Sequence, residues 1–152
     1  MSPSIDNSDE DQYVDPDPQN GRSLATVAKR GVLALSLSVL AVSAARAVQG
    51  AIITIPPEFG PLNWGLVLGG TVVAAILATG FYALVSHVTQ RPERDFVVAA
   101  ALITFSMIIP VVTYGTLLPG ATDVLLAAFS VLEIVVAATI TIVMVGGLGV
   151  PT

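Results

Sequence analysis

The chain has 152 residues, 54% of them hydrophobic and 11% charged, and its mean hydropathy is +0.84. Soluble domains carry about 25% charged residues, so the composition excludes a soluble globular domain and points to a polytopic membrane protein. With no cysteine and a single histidine, His87, the chain offers no disulfide framework, no cysteine nucleophile and no multi-histidine metal site.

The net charge of −5 is concentrated at one end. Asp6, Asp9, Glu10, Asp11, Asp15 and Asp17 lie in the first twenty residues with no base among them, and the rest of the chain is nearly neutral. Residues 1–22 also contain the breaker run DPDPQNG. They hold too little apolar surface to offset the entropy of ordering, so they are predicted to form a disordered acidic cytoplasmic tail. A membrane domain over residues 23–148 follows.

Four apolar stretches predict helices at about 24–53, 64–88, 96–118 and 124–145. A bilayer core of roughly 30 Å needs about 20 helical residues. Strands would require alternating apolar and polar positions, and these stretches are uniformly apolar. The first helix spans comfortably only if Arg46 is included. The segment 54–63 contains Pro56, Pro57, Gly60 and Pro61, which stop a helix, and Trp64 follows as an interfacial anchor. Residues 89–95 and 119–123 read as tight turns, the second with Thr122 or Asp123 as N-cap. Short connections predict an antiparallel up-down bundle of four transmembrane helices. Arg22, Lys29, Arg30, Arg91 and Arg94 fall on one side and loops 54–63 and 119–123 carry no Lys or Arg, which predicts both termini in the cytoplasm of a cell-membrane protein. A rival reading takes Lys29, Arg30 and the small-residue run AVSAARA as a signal peptide, but its basic start lies far from Met1 behind an acidic tail.

Glu133 lies about ten residues into the fourth helix, roughly 15 Å deep. An ionised carboxyl there costs about 3 kcal/mol on insertion scales, so it must find a partner or be held neutral. Ser130, Glu133, Ala137 and Thr141 share one helical stripe, expected to face the bundle, with Leu125, Leu132 and Val143 on other faces. Arg46 is the second ionisable group inside a span. Its side chain is expected either to lean toward Glu133 and pair with it, directly or through water, or to snorkel to the outer surface. Pro110 in the third helix frees the carbonyl of Ser106. Ser106, Thr113 and Tyr114 surround that kink, and a protonated Glu133 is expected to reach the carbonyl or a hydroxyl, although such kinks are usually structural. In the second helix Gly65, Gly69, Gly70, Ala74 and Ala78 recur at four-residue spacing and predict close helix packing, inside the bundle or between copies.

No Gly-rich phosphate loop, HExxH or GxSxG pattern occurs, and no basic surface suits nucleic acid. The residues therefore predict no catalytic site, no cofactor and no bound metal. The order of features resembles a family of small prokaryotic four-helix integral membrane proteins of unknown function. It is carried by Asn63-Trp64-Gly65 after a proline-rich loop, by Arg91-Pro92-Glu93-Arg94-Asp95-Phe96, by Pro110, and by Leu132-Glu133-Ile134-Val135-Val136-Ala137. The resemblance covers roughly residues 24–148 and implies the topology without a mechanism. The expected role is a non-enzymatic structural or accessory bundle whose partners are the lipid bilayer and either further copies of itself or the other subunits of a membrane complex. The alternative is a small oligomeric transporter, a proton or cation pathway that uses Glu133.

Overall fold

A computed structural model describes residues 24–146; the acidic tail and the last six residues lie outside the described residues. Four helices carry the fold: α1 (Leu24–Ile52), α2 (Trp64–Val88), α3 (Pro92–Tyr114) and α4 (Asp123–Met144). Short 3₁₀ turns occupy Gly60–Leu62 and Gly115–Leu117, and no strand occurs among the described residues. All four helices are long and apolar enough to cross a membrane. Even the shortest, α4 with 22 residues, reaches ~33 Å at 1.5 Å per residue. The chain is a multi-pass membrane protein by the length and composition of these spans.

Local chemistry sets the helix ends. Asn63 caps α2, its side chain accepting from the Gly65 amide at 2.9 Å. Thr122 caps α4 in extended conformation, its hydroxyl accepting from the Leu125 amide at 3.3 Å. The third helix begins at Pro92, four residues before the apolar run. Proline suits the first helical turn, and Glu93 and Asp95 sit favourably at the positive end of the helix dipole. It also ends at Tyr114, earlier than the apolar run, and tightens into a 3₁₀ turn. At the end of α4, Gly146 adopts φ 78°, a left-handed conformation that glycine accepts without a Cβ penalty.

α1 touches α2 and α4 along a stripe of Val27, Gly31, Ala34, Ser38, Val42 and Arg46, all buried. Residues three and four apart share one helical face, so the stripe is continuous. Two apolar clusters form at opposite ends of α1. One joins Val27 and Ala34 to Ala75, Tyr82, Phe96, Ile140, Val143 and Met144. The other joins Val42 to Phe59, Leu62, Val67, Leu125, Leu126, Ala128 and Leu132. Phe96 meets Tyr82 edge to face, with ring centroids 5.2 Å apart. The proline-rich segment is more than a linker, because Phe59 and Leu62 fold back from it into the second cluster.

Contacts with α1 differ from the spacing of small residues in α2. The buried positions of α2 are Val67, Thr71, Ala75, Tyr82, Val85 and Ser86. Gly65, Gly69 and Gly70 are exposed, and a Cβ added to Gly69 or Gly70 would meet nothing within 4 Å. Their expected role in packing inside the bundle is thus overturned, while Ala74 and Ala78 do pack against the first cluster. The close approach falls instead on Gly31 of α1, where an added Cβ would lie 2.5 Å from Thr79 Cγ2. Valine at Gly31 is expected to lower stability by about 1–3 kcal/mol through overpacking. Valine at Gly69 is expected to leave the fold within ~0.5 kcal/mol. Thermal unfolding in detergent, followed by circular dichroism, distinguishes the two.

Candidate functional site

The polar groups expected to gather at mid-depth do not converge. On α4 the stripe that faces the bundle is Leu125, Ala128, Leu132, Ile140 and Val143, all buried. Ser130, Glu133, Ala137 and Thr141 are only half-buried and flank it. Close packing explains the reversal: the aliphatic side chains fill the space between α4 and α1, which the small-polar stripe would leave void. Ser130 donates to its own helix, at Leu126 O, 2.9 Å. Glu133 has neither a hydrogen bond nor an ion pair among the described residues.

On α3, Ser106, Pro110 and Tyr114 all lie exposed. Thr113 donates back to Ile109 O at 2.7 Å. The carbonyl that Pro110 frees belongs to a helix buried only at Pro92 and Phe96, so it opens to the surroundings and not to Glu133. This third helix meets the bundle along a thin line of half-buried residues, Ala100, Thr104, Ile108 and Val111, and is packed most tightly near its ends. Phe96 packs at one end, and at the other an ideal Cβ on Gly115 would fall 2.6 Å from Leu126 Cδ2.

Arg46 forms a site of its own. It is 8% exposed and its Nε donates to the carbonyl of Leu62 at 2.9 Å. The guanidinium lies 5.4 Å from the centroid of the Trp64 ring, within the range of a cation–π attraction. No ion pair with Glu133 forms among the described residues. The side chain turns along α1 past Gly50, where an added Cβ would approach Nη1 to 3.1 Å. That places the charge beneath the folded-back loop rather than in open water. The reason is local. Leu62 closes a 3₁₀ turn, its carbonyl lacks a following turn, and Arg46 supplies the donor.

Two further tethers cross between helices. Arg30 Nη1 donates to Met144 O at 3.2 Å, satisfying a carbonyl in the last turn of α4. Gln49 Nε2 donates to Ala128 O at 2.8 Å, while its Oε1 is buried without a partner. Sequence reasoning overlooked both. Gln49 was legible as a polar residue inside a span, three positions after Arg46. The Arg30 contact has no local signal, because its partner is 114 residues away. A cavity of about 450 Å³ lies at the end of α1, lined by Arg46 and residues 50–55.

Among the described residues no three His, Cys, Asp or Glu side chains gather to hold a metal ion. No family model, curated protein or solved structure matches the chain.

The geometry separates two double-mutant cycles. The effects of Arg46→Leu and Glu133→Leu on stability are expected to add, within ~0.5 kcal/mol, because the residues share no partner. Arg46→Leu combined with Trp64→Leu is expected to show coupling of about 0.5–2 kcal/mol from the lost cation–π contact. Thermal or denaturant unfolding in one detergent measures both, and coupling in the first cycle alone contradicts the assignment.

Proposed function

We propose that this protein is a non-enzymatic structural or accessory bundle of the cell membrane. The observation that carries the reading is the use of three buried or half-buried polar side chains of α1. Arg30, Arg46 and Gln49 each bind a backbone carbonyl of another segment. The charged and amide groups of α1 therefore act as struts between segments, and the remaining candidate residues form no polar path. The bare glycines Gly65, Gly69 and Gly70 on α2 support assembly with further copies or with the subunits of a membrane complex, since small residues let helices approach closely in lipid.

The bundle is read as antiparallel and up-down, with both termini cytoplasmic. Arg30 near the start of α1 reaches Met144 at the end of α4, and Gln49 reaches Ala128 near the start of α4. Gly31 of α1 meets Thr79 toward the end of α2, and Arg46 meets Trp64 at its start. These pairs support opposed neighbours, and the Lys and Arg bias supports the orientation. The resemblance to small prokaryotic four-helix membrane proteins of unknown function agrees with this topology. Because the chain has no cysteine, Pro57→Cys provides a clean label, and it is expected to react with an impermeant reagent from the outside of intact cells.

A second reading, a proton or cation pathway in an oligomer, rests on Glu133, which is half-buried and unpartnered. Proteoliposomes distinguish the readings. Under the structural reading, Glu133→Gln and Glu133→Leu leave proton and potassium flux at the level of the unsubstituted protein. A flux that the unsubstituted protein carries and Glu133→Gln abolishes overturns it.

A further inference from the structure

We propose that Arg46 anchors a binding site for a phosphate-type oxyanion, either the head-group phosphate of a membrane lipid or the free ion. The site is the cavity at the end of α1, bounded by Arg46, Gly50 and the chain from Ala51 to Ile55. Gly50, Ala51, Ile52 and Thr54 are exposed, so the cavity opens to the surroundings.

The charge balance points to an anion. Arg46 is almost wholly buried, and among the described residues no carboxylate is in ion-pair contact with it. Burying a cation without a counter-charge is strongly unfavourable. The Leu62 carbonyl takes up one of five N–H donors. Among the described residues no acceptor takes up the others, and the Nη groups keep accessible surface at the cavity. The carboxyls of the neighbouring connections, Glu58 and Asp123, are exposed and do not supply the missing charge.

The guanidinium is also preorganised. The bond from Nε to Leu62 O and the Trp64 ring fix its position, leaving the Nη edge uncommitted. Beside Nη1 stands Gly50, whose missing side chain keeps that edge open. A planar fork of N–H donors matches two oxygens of one phosphate. The last carbonyls of α1 lie at the same rim and favour a ligand that also brings donors. A phosphate ester bearing hydroxyl groups meets both requirements, whereas a cation would meet Arg46. The level also suits a head group: the site lies beside Trp64, at the end of a span, where indole rings mark the boundary between hydrocarbon and water.

The test uses the full chain, purified in detergent and freed of lipid. Binding is read by native mass spectrometry and by the fluorescence of Trp64, the chain's single tryptophan. The probes are phosphatidylglycerol, a diacylglycerol with the same acyl chains, and inorganic phosphate at millimolar concentration. Phosphatidylglycerol is expected to bind at least about tenfold tighter than diacylglycerol, the factor that one charge-assisted bond supplies. Arg46→Gln and Gly50→Val are both expected to reduce its affinity about tenfold. Gly50→Val keeps the arginine and so decides the matter if Arg46→Gln fails to fold. Displacement of the lipid by inorganic phosphate assigns the site to the free ion, and resistance to displacement assigns it to a head group. Equal affinity for the two lipids, or normal binding by Gly50→Val, overturns the proposal.

Discussion

Within hydrocarbon no water stands ready to satisfy a polar group, so each must be partnered by the chain itself or be moved to the edge. α1 is where this constraint is met. From one helix, Arg30 reaches the last turn of α4, Gln49 reaches its early part, and Arg46 holds the carbonyl of Leu62 at the end of the Gly60–Leu62 turn. The hydroxyls follow the same rule by a shorter route. Thr71, Thr79, Thr104 and Thr139 each donate to the carbonyl four residues earlier. Among the described residues the Ser38 hydroxyl and Gln49 Oε1 depart from the rule, buried without a partner.

Packing answers a related constraint. Lipid tails are as apolar as leucine, so helices associate through contact and not through escape from solvent. The interface between α1 and α2 is accordingly narrow, with Gly31 against Thr79 and Ala34 and Ala75 both buried. Bulk is reserved for the two ends. Tyr82 and Phe96 fill one, and Phe59 and Leu62 fold back from the connecting segment to fill the other. Leu40, Leu77, Leu102 and Phe105 point away from the protein, an arrangement suited only to a hydrocarbon surround.

The number of spans, and the ends of all but α3 to within a residue, were legible because crossing hydrocarbon demands an uninterrupted apolar length, and that property is local. The start of α4 was legible for the same reason, with Thr122 or Asp123 offered as the cap and Thr122 found in that place, since a cap acts within three residues. The inward faces were not. In a soluble helix the polar side marks the outside, but here both sides are apolar and the pattern carries no such label. Reading the small-polar stripe of α4 as its inner face therefore failed, and Leu125, Leu132 and Val143 took that place. The glycines of α2 misled similarly, because small residues permit a close approach without saying to what. Arg46 was legible as a site, and its partners were not. They are the Leu62 carbonyl, in a connection whose prolines stop a helix without saying where the chain folds back, and the Trp64 ring at the start of α2.

The attachment of α3 at its two extremities has a consequence for what this segment can tolerate. Between Phe96 and Gly115 no residue is fully buried and a half-buried line at Ala100, Thr104, Ile108 and Val111 faces the bundle, so the helix resembles a strut bolted hardest at its terminals. Side-chain identity on the exposed faces of the shaft answers chiefly to the acyl chains around it. Its length is held far more strictly: one inserted residue would swing the distal bolt by about 100° and carry Gly115 off the Leu126 side chain that fills its notch. Drift in lettering with a frozen residue count is the evolutionary signature this mounting would leave.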